Sequence, residues 1–218
     1  MHHSHQELNE IGQAVINRFE AVSSSRDRAL HDGRQIIRLS ANAIRAIHRG
    51  ELAESEALLD EANAMLSDLT RLLAPLPSIY WQGYVQDAMK EYGEARIVLA
   101  MVSGSRIPAP EELGIEDAPW LNGLAEGASE LRREVLDALR KGDSGRAEAL
   151  LIIMDAAYDL LVTVDFPDGM TGGLRRTTDQ FRAVLERTRN DFTLTLTQDR
   201  LERALREAEA AFSRELEN

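Results

Sequence analysis

Two pairs of carboxylates stand at spacings that could hold a metal ion. Glu91 and Glu94 are three residues apart in "KEYGEARIVLA", with Asp87 one turn earlier. Glu126 and Glu130 are four apart in "LAEGASEL". On a helix, side chains at i,i+3 and i,i+4 share a face, and like charges placed so repel each other unless something positive lies between them. Several carboxylate oxygens together form a hard, anionic ligand set suited to Mg²⁺ or Mn²⁺. On helical wheels, however, both pairs fall on the polar side of their helices, which by pattern alone reads as a solvated face. The sharper reading is that these faces look onto a water-filled cavity or an oligomer interior. Other chemistries fit less well. The chain has no cysteine, which excludes a disulfide scaffold, a thiolate metal site and a cysteine nucleophile. There is no Glu-x-x-His pair of the di-iron bundles, no His-Glu-x-x-His, no P-loop and no Gly-rich dinucleotide turn. His31 and His48 read as ordinary solvated residues or phosphate contacts, and Gly172-Gly173 as a turn before a helix.

A basic counterpart lies upstream. Arg34, Arg38, Arg45 and Arg49 share one side of a helix, which reads either as an ordinary amphipathic face or as a track for phosphates. On the same wheel His48 is turned away from them. Arg175, Arg176 and Arg182 form a second basic cluster where the last helix opens, a place where the dipole disfavours positive charge. The net charge of −12 argues against a protein that simply coats nucleic acid, unless the positive charge is segregated. Nearly all of that positive charge is arginine; Lys90 and Lys141 are the only lysines.

These residues need helices to position them, and the composition supplies them: 44% hydrophobic, few aromatics, and much Ala, Leu, Glu and Arg. The spacing predicts seven helical runs, at about 6–22, 26–49, 51–74, 78–102, 119–141, 144–164 and 173–215. The "SSSRD" segment reads as a break between the first two, and Gly50 and Gly142 as helix stops. The prolines punctuate the runs without interrupting them. In the fourth run Trp81, Ala88, Tyr92, Ala95 and Leu99 make the apolar side. In the last run Leu201, Leu205, Ala208 and Phe212 form a stripe suited to protomer contacts. The "NDFTLTLTQ" stretch reads as a bend in a continuous helix. The expectation is one all-α domain of antiparallel helices over 1–218, with about 1–6 as a flexible tail. No apolar run approaches the roughly 20 residues needed to span a bilayer, no secretory signal is visible, and the absence of cysteine fits a cytoplasmic location.

The strings "YVQDAMKEYGEA", "WLNGLAEGASELRREVLDALRKGD" and "MDAAYDLLVTVDFPDGMTGGLRRTTDQFRAVLERTRNDFTL" resemble the translin and translin-associated factor X family, most of all its archaeal and bacterial members. The likeness runs from about residue 26 to about 200. It implies a seven-helix all-α fold assembled into a hollow homo-oligomer, often an octamer, that binds single-stranded RNA or DNA inside the shell. The translin-associated factor X branch is a metal-dependent endoribonuclease, whereas translin proper binds nucleic acid and largely lacks the catalytic acids. The branch's Glu-Tyr-x-Glu-Ala segment matches Glu91 and Glu94. Its Ala-Asp-x-x-x-Glu-Leu segment matches "AEGASEL", giving Glu126 and Glu130, with Glu126 where the branch usually has Asp. The resemblance thus implies an Mg- or Mn-dependent endoribonuclease with Glu91, Glu94, Glu126 and Glu130 as metal ligands and catalytic acids, and Arg34 to Arg49 as the nucleic-acid track. The alternative is a non-catalytic single-strand-binding protein of the translin type.

Overall fold

The computed structural model describes the backbone of residues 2–216 and the side chains of 5–213. The expected tail over 1–6 is therefore only partly covered, and Met1 lies outside the described residues. Among these residues every regular element is an α-helix: α1 His2–His48, α2 Leu52–Leu73, α3 Pro77–Tyr80, α4 Gly83–Ser103, α5 Pro110–Leu113, α6 Asp117–Arg140, α7 Ser144–Leu161, α8 Asp168–Thr171 and α9 Leu174–Leu216.

The expected seven helices become nine among the described residues, for two local reasons. First, the first two runs are one helix, because "SSSRD" does not break it. Ser25 Oγ donates to the carbonyl of Ala21 at 3.0 Å, so the serine bonds within the helix instead of capping a new one. Second, the proline segments wind into single turns. Pro77 and Pro110 sit in the first turns of α3 and α5, where the missing N–H costs nothing, and Pro167 immediately precedes the single turn α8. Trp81 and Gln82 then separate α3 from α4, which takes Trp81 off the apolar face expected of it. The tryptophan is 59% exposed. The last helix is continuous as expected. Thr193, Thr195 and Thr197 each donate to the carbonyl four residues back, at 2.8–2.9 Å, so the β-branched stretch stays helical.

The expected stops hold. Gly50 (φ +78°) and Gly142 (φ +75°) take the left-handed conformation that glycine adopts without strain. After them the N–H of Glu51 bonds Ala46 O and that of Asp143 bonds Ala138 O, both at 2.9 Å, closing the last turns. Asp143 then caps α7 by accepting from the N–H of Arg146 at 2.9 Å.

The core has two halves. α1, α2 and most of α4 enclose one, with Ile36, Leu59, Leu66, Met89 and Tyr92 buried. The end of α4 with α6, α7 and α9 encloses the other, with Ile97, Met101, Leu131, Met154 and Phe181 buried. Each such side chain contributes about 1.5–3 kcal/mol by leaving water. α4 contributes to both halves and packs along α6, so the α4–α6 crossing is the centre of the molecule. The outer ends of the two longest helices differ. On α1 the first buried side chain is Ala29, and on α9 the last is Phe192.

Candidate metal centre

The centre exists because α6 offers α4 no side chains at two successive turns. A Cβ at Gly123 would lie 2.9 Å from the backbone nitrogen of Glu94 and 3.0 Å from the carbonyl oxygen of Lys90. One at Gly127 would lie 3.1 Å from Val98 Cγ2 and 3.3 Å from Glu94 O. The two glycines flank Glu126 in sequence and bring its backbone against the turn of α4 that bears Glu91 and Glu94. As a result Glu91, Glu94 and Glu126 each present a carboxylate oxygen, all within 4.8 Å of one another.

Glu94 departs most from the solvated face that the sequence pattern suggests. It is 7% exposed and has no hydrogen-bond partner among the described residues. Its α4 backbone is covered on one side by α6 and on the other by the first half-core, while Lys90 and Glu91 on the adjoining turn stay partly exposed. Burial, and after it the charges of Glu91, Glu126 and Glu130, together raise the Glu94 carboxyl to about 8, with Lys90 opposing them. A buried acid surrounded by acids is costly unless protonated or matched by a cation. Three clustered carboxylate oxygens, one without a partner, fit a hard divalent cation. These donors define that class of ion and do not distinguish one member from another.

Lys90 supplies the positive charge found beside them. Its Nζ lies 2.6 Å from Glu126 Oε2 and 3.3 Å from Glu91 Oε1. Burial lowers the tendency of this ammonium to stay charged, but its bonds to the two glutamates outweigh that and raise its pKa.

Glu130, the fourth expected acid, lies one turn farther along α6 and outside the three-oxygen group. Its carboxylate is held by His48: Nε2 is 2.9 Å from Glu130 Oε2, and Nδ1 is 3.0 Å from Glu134 Oε1. This corrects the reading of His48 as a solvated residue. The helical wheel turns it away from the arginines, and that direction is inward onto α6, where its side chain is 6% exposed. Hydrogen bonds donated to Glu130 and Glu134 raise the imidazole to about 9 against the opposing effect of burial, so it stands as an imidazolium at neutral pH. The same bond lowers the Glu130 carboxyl. Sequence reasoning missed His48, and the available signal was its position one residue off the arginine stripe.

Arg34, Arg38, Arg45 and Arg49 are all exposed, as the amphipathic pattern requires. Arg49 pairs with Glu51 and Glu54, whereas Arg34, Arg38 and Arg45 have no carboxylate partner among the described residues. A groove of about 770 Å³ opens beside the acidic group, with Trp81, Asp87, Lys90, Glu126 and Arg176 among its lining residues. Its wall is fixed by Asn122, whose amide donates to Ala118 O and Thr171 O at 2.9 and 2.8 Å and accepts from Thr177 at 2.8 Å. That one buried side chain ties α6 to α8 and α9. Of the second basic cluster, Arg175 pairs with Asp165 at 3.0 Å, Arg182 lies near Asp179 and Glu186, and Arg176 faces the groove. No helix among the described residues is long and apolar enough to cross a membrane.

No family model matches the sequence. An uncharacterised protein of Methanocaldococcus jannaschii is 28% identical over 204 residues, which is 92% of this chain and 90% of that protein. The crystal structure of AfC3PO is 31% identical and superposes with a TM-score of 0.79, covering 85% of this chain and 97% of its own. AfC3PO in complex with duplex RNA gives 30% identity and a TM-score of 0.78, covering 85% and 96%. Apo-NeC3PO, at 18% identity and a TM-score of 0.76 over 84% of this chain, shares the fold. With the sequence likeness and the helix arrangement in agreement along nearly the whole of AfC3PO, the chain belongs to the translin-like family that the C3PO structures represent.

Proposed function

We propose that this protein is a metal-dependent endoribonuclease that cuts single-stranded RNA inside a closed homo-oligomer, using Mg²⁺ or Mn²⁺ held by Glu91, Glu94 and Glu126. Glu130, the fourth expected acid, stands one turn farther along α6 in a pair with His48. The observation that carries the reading is Glu94: a buried carboxylate with no hydrogen-bond partner among the described residues, clustered with two other carboxylates. Structural needs do not account for that arrangement, and a cation does. A bound divalent ion would neutralise charge on the scissile phosphate and lower the pKa of a bound water.

The chain's own residues supply the rest. Glu91 and Glu126 bring two further oxygens to the place where Glu94 points. Lys90 and Arg176 give the groove positive charge for phosphate, and the exposed indole of Trp81 gives it a stacking surface. Arg34, Arg38 and Arg45 lack carboxylate partners among the described residues, so their charge is available to an RNA backbone. The exposed stripes Leu8, Ile11 and Phe19 on α1, and Leu201, Leu205 and Phe212 on α9, supply the faces for assembly into an octamer. RNA binding is supported by AfC3PO, whose complex contains duplex RNA, so both strand states belong in the test.

One observation favours a second reading, RNA binding without cleavage. The Glu126 carboxylate is already bonded to Lys90, and Glu stands there where the translin-associated factor X branch usually has Asp. A cleavage assay on labelled single-stranded and duplex RNA, with Mg²⁺, Mn²⁺ or EDTA, separates the two. The nuclease reading predicts metal-dependent cutting that is lost in Glu91→Gln and Glu94→Gln. Salt-sensitive binding with no cutting under any metal condition establishes the second reading instead. A mass in solution equal to one chain would remove the enclosed site.

A further inference from the structure

We infer that Lys90 is a resident cation of the acidic site, so that the site takes a single divalent ion per chain and not a pair. The inference rests on the metal-site reading above and concerns how many ions that site accepts. Its basis is position and charge. The Lys90 ammonium lies 2.6 Å from Glu126 and 3.3 Å from Glu91, so it bridges the two helices that form the site. A two-metal hydrolytic site needs its second ion about 3.5–4 Å from the first, shared among the same carboxylates. Here the oxygens of Glu91, Glu94 and Glu126 lie within 4.8 Å of one another, and two of the three acids already contact the ammonium. The space and the ligands for a second ion are those that Lys90 occupies.

The charge balance agrees. With all three glutamates ionised, Lys90 offsets one of three negative charges and leaves two, which is the charge of one divalent cation. Glu130 lies outside the three-oxygen group and has its own cationic partner in His48, at 2.9 Å, so the count is taken over the three clustered acids. Glu94 marks where the single ion goes: it is buried and is the one acid of the three that the ammonium does not touch. Residue choice is consistent with this role. In a chain whose cations are nearly all arginine, a lysine stands here. A compact ammonium fits between two carboxylates on adjacent helices, where a planar guanidinium would need a wider gap. Lys90 also lines the groove, so a phosphate entering there meets the ammonium on its way to the ion.

The test is Mn²⁺ stoichiometry on the metal-free full-length protein, read by electron paramagnetic resonance of free Mn²⁺ and by calorimetry. Native protein should bind one Mn²⁺ per chain at the site, and Lys90→Gln should bind two. Thermal melting of the variant confirms folding, and the native stoichiometry stands as a test even if Lys90→Gln does not fold. Two ions in the native protein, or one in both native and Lys90→Gln, overturns the inference while leaving the metal site in place. No Mn²⁺ bound to native protein overturns the metal site and this inference with it.

Discussion

Glu94 and Glu130 are acids one helical layer apart, on polar faces of their own helices, yet their surroundings are opposite. The Glu130 corner is closed: His48 reaches in from α1 and binds both Glu130 and Glu134. The Glu94 corner is open in charge, with a buried carboxylate facing two others and no partner of its own. The first arrangement is a finished ion-pair network that joins α1 to α6. The second is stable only with a proton or a cation added. An acidic cluster alone says little about function, and the corner lacking compensation is the informative one.

Glu94→Gln probes the open corner and should have the largest effect. It removes a central oxygen ligand, so metal-dependent cleavage should fall by about 100-fold or more, since even outer partners of metal ligands cost 10–100-fold. The same change should raise the melting temperature in EDTA above about pH 8, because it removes the like-charge repulsion. A melting temperature that instead drops there would assign Glu94 a purely structural role. Gly123→Ala should follow. Its Cβ would meet backbone atoms of α4 at 2.9 and 3.0 Å, so the helices must part, at a cost of about 1–3 kcal/mol in denaturant unfolding. Mn²⁺ binding should weaken along with stability, which ties the packing to the site.

His48→Gln probes the closed corner. With Glu130 and Glu134 partly exposed, the loss should be about 1–2 kcal/mol. The raised imidazole pKa fixes the sign of the pH dependence. The His48 contribution is full below its unfolded value of 6.5 and is lost as pH rises through about 9, so the native and variant stabilities should converge above that pH. Glu94 has the same sign over a different window. Its proton stabilises the fold fully below the unfolded value of 4.5, and that contribution is lost as pH rises through about 8. A divalent ion takes the proton's place, so the stabilisation by Mn²⁺ over EDTA should grow from about pH 6 to about pH 8.5. A constant or shrinking increment would contradict the comparison between the corners. The smallest effect belongs to the arginine stripe. Removing Arg34 or Arg38 should reduce the salt dependence of RNA binding by about one phosphate contact each, with little change in stability.

Much of this was legible in the sequence where the signal was local. Helix type, the stops at Gly50 and Gly142, and the spacing of the acids follow from patterns within one or two turns. What was not legible depended on which helix lies against which. The "SSSRD" segment looks like a cap, and only the long continuous α1 makes Ser25 bond backward. The acids of α4 look solvated on a wheel, but α4 is enclosed by α6 and the α1–α2 half of the core, and no wheel drawn for one helix can show that. Gly123 and Gly127, four apart on either side of Glu126, were the available signal that a second backbone lies there. The acids came together around Glu94 as three, with Glu130 drawn off by a histidine far away in sequence.

The central claim is that Glu91, Glu94 and Glu126 share a divalent ion. Crystals grown with Mn²⁺ and measured at the manganese absorption edge test it most directly. The account predicts an anomalous peak bounded by those three carboxylates, absent in Glu94→Gln. An occupied Mn²⁺ site elsewhere, with Glu94 still unliganded between α4 and α6, would contradict it.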